Sequence, residues 1–240
     1  MPVALLCIPY AGAGASLFRQ WKRHSFRWME VDPVQLPGRE ELFAAGPLTS
    51  MAEVVDLCVD RIRKMPQDAP FALFGHSFGA LVAYETAQRL AAEGPRLPER
   101  LIVSGAAAPW LPRPVTGSGS LTDDAFVARV REVVGYDHPA FHDAELRGLL
   151  LPSLRADLGI NDQYTPSSTD LLPIPLTVLR GADDQLVSRQ DAELWSKATS
   201  QPTELLELPG DHMYFSLDPK PLLTELDALF GPARASAIPS

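Results

Sequence analysis

The stretch FALFGHSFGALVAYETA, Phe71 to Ala87, passes from an apolar segment through Gly-His-Ser-Phe-Gly into residues with helical spacing. A short apolar run bounded by glycine suits a strand buried on both faces, and the recurrence that follows suits a helix. The same alternation extends in both directions. VALLCIPYA (3–11), WMEVDPVQL (28–36), RLIVSGAA (100–107), PLTVLRGA (175–182) and TELLELPG (203–210) read as strands. SMAEVVDLCVDRIRKM, SRQDAELWSKA and PKPLLTELDALF carry helical periodicity, with Ser50 and Ser188 as caps. Strand-helix alternation predicts an α/β fold in which a mostly parallel sheet is flanked by helices.

One region breaks the alternation. PWLPRPVTGSGS reads as a loop, and LTDDAFVARVREVVG and DAELRGLLLPSLRADLGI are two helical patterns with no strand between them. The expectation is a helical lid inserted at about 120–168 into a single domain spanning 1–240. The small and polar ending is expected to form a flexible tail over 232–240.

Composition narrows the partners. A net charge of −9 argues against nucleic acid or an anionic membrane surface, either of which calls for a clustered basic face. No apolar run approaches the length of a membrane span, and no charged segment precedes the first strand, so the expected location is cytoplasmic. Cys7 and Cys58 sit in apolar runs without metal-ligand or disulfide spacing and read as small core residues. A monomer is the default expectation.

Gly75-His76-Ser77-Phe78-Gly79 fits G-x-S-x-G between a strand and a helix, the setting in which a tight turn lifts a serine hydroxyl above a sheet. Gly75 and Gly79 are small so that strand and helix can approach. The helix directs its free amides at the serine, and the Phe78 N–H can donate to a tetrahedral oxyanion.

A serine hydroxyl needs a base and an oriented acid, which in this chain order follow downstream. Of five histidines, His212 in LPGDHMYF follows the last strand, where a loop carries it over the sheet. His24 and His76 precede the serine, His138 and His142 lie in the lid, and His76 suits packing at the elbow. The strand ending in GADDQLV offers two carboxylates. G-x-x-D-x-x-V spacing favours Asp184 over Asp183, and Asp211 suits a loop cap. PYAGAGAS after the first strand can bring backbone close to a bound acyl group, with the Ala11 N–H as the second oxyanion donor.

Together IPYAGAGAS, VQLPGRE, FGHSFGALVAYETA, GADDQLV and GDHMYF resemble the type II thioesterases of polyketide and nonribosomal peptide synthase systems, which are α/β-hydrolases. The similarity runs from Val3 to about Phe230. It implies hydrolysis of acyl groups from the phosphopantetheine arm of acyl or peptidyl carrier proteins, clearing misprimed or stalled chains without a cofactor or metal of its own. It also implies a Ser77-Asp184-His212 triad with Ala11 and Phe78 as oxyanion donors. An earlier edge strand common in the fold is expected to be absent, and Phe78 stands where Met is common. In QLPGRE, Pro37-Gly38 reads as a turn and Arg39 as a solvated residue without a catalytic role. The alternatives are a small-ester or amide hydrolase, a product-releasing thioesterase that transfers or cyclises the mature product, and a scaffold without chemistry.

Overall fold

A computed structural model describes residues 1–134 and 139–232. His138 and the expected tail beyond 232 lie outside them. All six expected strands form: β1 Val3–Ile8, β2 Met29–Pro33, β3 Phe71–His76, β4 Leu101–Ser104, β5 Leu176–Gly181 and β6 Thr203–Leu208. They make one sheet in the order β2-β1-β3-β4-β5-β6, and every adjacent pair is parallel.

Each β1 residue faces one of two cores, as the period of two demands. Val3, Leu5 and Cys7 pack with Phe18, Trp21 and the α7 leucines, α7 being Lys220–Leu229. Leu6 and Ile8 pack on the other face with α2 (Met51–Arg63) and α3 (Phe78–Glu93). The strands read as continuous apolar runs because both sheet faces are covered. Both cysteines are buried within these cores, and burial raises the Cys58 thiol pKa to about 12, which keeps it protonated.

Ser50 caps α2 through a capping box in which its hydroxyl accepts from the Glu53 amide and the Glu53 carboxylate accepts from the Ser50 amide. Ser188 caps α6, Arg189–Glu193. The SRQDAELWSKA segment is not one helix: α6 gives way to a 3₁₀ turn at Leu194–Ala198. Trp195 is fully buried, edge-on to Tyr84, and donates its indole N–H to the Ala106 carbonyl, so tertiary contacts override helical continuity. Another short helix, α1 at Ser16–Arg19, has too few residues to leave a periodic signal.

Between β4 and β5 the chain leaves the sheet and forms α4 (Asp123–Val134) and α5 (Ala144–Asp162), joined through a 3₁₀ turn at Pro139–His142. These helices share a satellite core of Phe126, Val127, Val130, Phe141, Leu151 and Leu154.

The turn after β3 admits only glycine on either side of the serine. A Cβ on Gly75 would lie 2.0 Å from the Gly79 carbonyl oxygen, and one on Gly79 would lie 2.3 Å from the Ile8 carbonyl oxygen. Both obstacles are backbone, so Gly75→Ala must push α3 off the sheet. It is expected to cost about 3 kcal/mol, read as a lowered denaturation midpoint; an unchanged midpoint would contradict this close approach.

Candidate active site

The order of the sheet reverses between β1 and β3, and the loops at the carboxyl ends of these strands open the crevice where parallel α/β sheets place their sites. Ser77 stands there, immediately after β3. Its backbone has φ 54 and ψ −115, a conformation costly for a residue with a side chain. The strain is held in place by the glycine contacts of the turn and by the start of α3, whose first amides point into the crevice.

Two loops from the other half of the sheet meet beside it. Asp184 follows β5 and His212 follows β6; His212 Nδ1 lies 2.9 Å from Asp184 Oδ2, and the Asp184 side chain has no solvent exposure. The other carboxylate oxygen accepts from the Leu186 amide at 2.8 Å and the Val187 amide at 3.1 Å. Burial pushes the Asp184 carboxyl pKa up, but the hydrogen bond to His212, its charge and the two amides outweigh this and lower it. The arrangement fixes one imidazole nitrogen on a carboxylate and leaves Nε2 for exchange with a hydroxyl. Asp183 is exposed, and Asp211 accepts from the Met213 amide as a loop cap.

These two loops touch because of Gly181, where a Cβ would stand 2.0 Å from the Asp211 carbonyl oxygen. Arg180 keeps the acid loop closed, donating to the carbonyls of Asp184 and Val187 and pairing with Glu207. Sequence reasoning missed Arg180, although a cation inside the apolar run PLTVLRGA is itself a signal for a buried partner.

His76 is fully buried against His212, with ring centroids 4.9 Å apart. Burial, then the neighbouring His212, pushes its pKa well below the ordinary histidine value, so it is neutral. Its Nδ1 shares a hydrogen bond with the Ser104 hydroxyl, which in turn meets the Tyr214 hydroxyl. His76 thereby braces the wall behind His212. His142 is exposed and His24 half-buried, and neither lines the cavities that Ser77 lines.

Ser77 and His212 line two adjoining cavities. One of about 100 Å³ lies against Val130 of α4 and Leu150, Leu154 and Leu158 of α5. The other, of about 400 Å³, is bounded by Phe78, Leu186, Arg113 and Asn161. Ala11 borders both, and among the described residues neither its amide nor that of Phe78 has an acceptor. The next amide, that of Gly12, donates to Asp157 at 2.8 Å.

The Arg39 side chain is not solvated as its sequence context implied: it is 6% exposed and grips Asp157 of α5 with its Nη1 and Nη2, at 2.6 and 2.9 Å. Its partner lies 118 residues away, a pairing that local sequence cannot announce.

Among the described residues no group of three or more His, Cys, Asp or Glu is placed to hold a metal, and no helix is long and apolar enough to cross a membrane.

A parallel sheet carrying a strained serine after its third strand, with an acid-histidine pair supplied by the last two strands, defines an α/β-hydrolase. Within that class the chain belongs to the thioesterase family, whose domain model matches residues 3–228. It is 35% identical over 210 residues to the gramicidin S biosynthesis protein GrsT of Aneurinibacillus migulanus, covering 88% of this chain and 82% of that protein. Among solved structures, RedJ, a thioesterase of the prodiginine pathway in Streptomyces coelicolor, superposes with a TM-score of 0.84 at 33% identity, covering 95% of this chain and 85% of RedJ. The type II thioesterase BorB of the borrelidin cluster superposes with a TM-score of 0.85 at 31% identity, covering 96% and 94%. The resemblance read from the sequence thus holds across nearly the whole chain.

Proposed function

We propose that this thioesterase hydrolyses acyl groups from the phosphopantetheine arm of an acyl or peptidyl carrier protein, through a Ser77-His212-Asp184 triad, and so clears aberrant or stalled chains from a polyketide or nonribosomal peptide synthase. The observation that carries the reading is the 2.9 Å bond between Asp184 and His212 at the rim of the two cavities that Ser77 lines. Ser77 Oγ attacks the thioester carbonyl as its proton passes to His212 Nε2, and the Ala11 and Phe78 amides hold the oxyanion. The C–S bond breaks and His212 returns the proton to the departing pantetheine thiol. Water then attacks the acyl-serine, giving its proton to His212, and the free acid leaves with Ser77 restored. The chain's own residues supply every step, so no cofactor is required.

The apolar cavity under the lid suits the acyl chain, and the larger one beside Phe78 suits the entering pantetheine arm. Leu154→Ala opens the smaller cavity and is expected to move the acyl-length optimum toward longer chains. Rates against a series of acyl-carrier substrates check this, and an unchanged profile would remove the lid from specificity.

With a chain and common carriers both acidic, docking rests on local contacts, and a monomer is sufficient for the reaction. A fluorophosphonate that labels Ser77, read by peptide mass, together with faster turnover of carrier-bound acyl groups than of an aryl ester, is the expected outcome. Faster ester turnover would favour the small-ester alternative, and a cyclised product would mark a releasing enzyme.

A further inference from the structure

The loop after β1 is held from below by three side chains outside the triad. Arg39 donates to the Ala13 carbonyl at 3.1 Å, and Glu40 accepts from the Ser16 amide at 3.1 Å and from the Ser16 hydroxyl. Asp157 accepts from the Gly12 amide at 2.8 Å with the same oxygen, Oδ2, that lies 2.6 Å from Arg39. The Asp157 carboxylate is 2% exposed, so each of its bonds is made away from water, where a bidentate guanidinium fixes both planes. α5 is attached to the same place a second time, the Ser153 hydroxyl donating to the Gly38 carbonyl at 2.6 Å.

The consequence is a choice between two neighbouring amides. Gly12 has φ +79, a conformation that suits glycine, and its N–H is turned away from the crevice toward Asp157. The Ala11 N–H, one residue earlier, is left without an acceptor among the described residues, beside Ser77. We propose that Arg39 and Asp157 are positioning residues of the oxyanion hole: Asp157 takes the Gly12 amide and thereby presents that of Ala11, while Arg39 holds Asp157 in place. The proposal rests on the reading of Ala11 as an oxyanion donor. It also makes α5 a fixed wall of the site, carrying the donor loop with it.

Loss of the anchor acts on the transition state, in which the oxyanion exists, more than on the bound thioester. Asp157→Ala is expected to lower kcat about 10- to 100-fold with little change in KM. Asp157→Asn, which keeps the size and one acceptor oxygen, is expected to fall between it and the wild type. Affinity for an alkyl trifluoromethyl ketone, which forms a tetrahedral adduct with the serine, should fall in proportion to kcat/KM, while affinity for the product acid holds. Ser153→Ala cuts the other attachment of α5; it should lower thermal stability and leave kcat within about twofold.

The wild type and Ser77→Ala run in the same acyl-carrier assay. Absent Ser77-dependent turnover in the wild type defeats the hydrolase reading itself. With that turnover present, folded Asp157 variants of normal kcat, or a loss carried by KM alone, overturn the positioning role. A fall in kcat for Ser153→Ala equal to that of Asp157→Ala also overturns it, since general attachment of the lid would then suffice. If Asp157→Ala does not fold, Asp157→Asn decides by the same criteria.

Discussion

Replacing Ser77 with alanine is expected to lower thioester turnover about 10⁴- to 10⁶-fold. A residual rate is expected from binding and from the proposed oxyanion amides, which would still polarise the carbonyl for direct attack by water. KM for an acylated carrier should change little, because the hydroxyl adds nothing to recognition of the arm. The fold should persist with little change in stability, since alanine carries the same Cβ and so the same strain at φ 54. A glycine at this position has no Cβ, so it relieves the strain and should be more stable, while equally inactive. Retention of more than a few per cent of the wild-type rate by purified Ser77→Ala would place the nucleophile elsewhere.

The second large effect falls on the acid. Asp184→Asn preserves shape but turns the carboxylate that orients His212 into an amide, which can stabilise neither the required tautomer nor the imidazolium; a loss of about 10⁴-fold in kcat is expected. Asp183→Asn, at an exposed position one residue earlier, should stay within about twofold. The pair separates the two carboxylates of GADDQLV in one experiment, and the reverse pattern would reassign the acid. Acid stability gives an independent check. The folded-state pKa of Asp184 is lowered, so its carboxylate stabilises the fold above the unfolded value, and that contribution is lost as pH falls through the folded one. The stability gap between wild type and Asp184→Asn should therefore shrink on acidification and vanish once Asp184 is protonated. Denaturation midpoints at neutral and acid pH would show it.

The sheet was legible because its strands are nearly continuous apolar runs, and the serine turn because glycine is sterically required on both sides of Ser77. The histidine and acid loops were legible from their place after the last two strands. What escaped the sequence are contacts between charges far apart in the chain. Arg39 reads as an ordinary surface residue in LPGRE until α5 folds over it and supplies Asp157, and Arg180 hides in a strand whose neighbours are aliphatic. A buried ion pair costs desolvation energy and leaves no local periodicity, so its partners emerge only from the tertiary arrangement. The break of SRQDAELWSKA at Leu194 has a similar origin, since the burial of Trp195 was decided by Tyr84 and Ala106 rather than by its own helix.

The most direct test of the central claim is the intact mass of a carrier protein loaded through phosphopantetheine with several acyl groups, followed over time with the wild type and with Ser77→Ala. Loss of the acyl mass from the carrier, appearance of the free acid, dependence on Ser77, and a rate well above hydrolysis of a simple aryl ester are expected. A carrier that keeps its acyl group while the ester is consumed would contradict this expectation and assign this chain to small-ester chemistry.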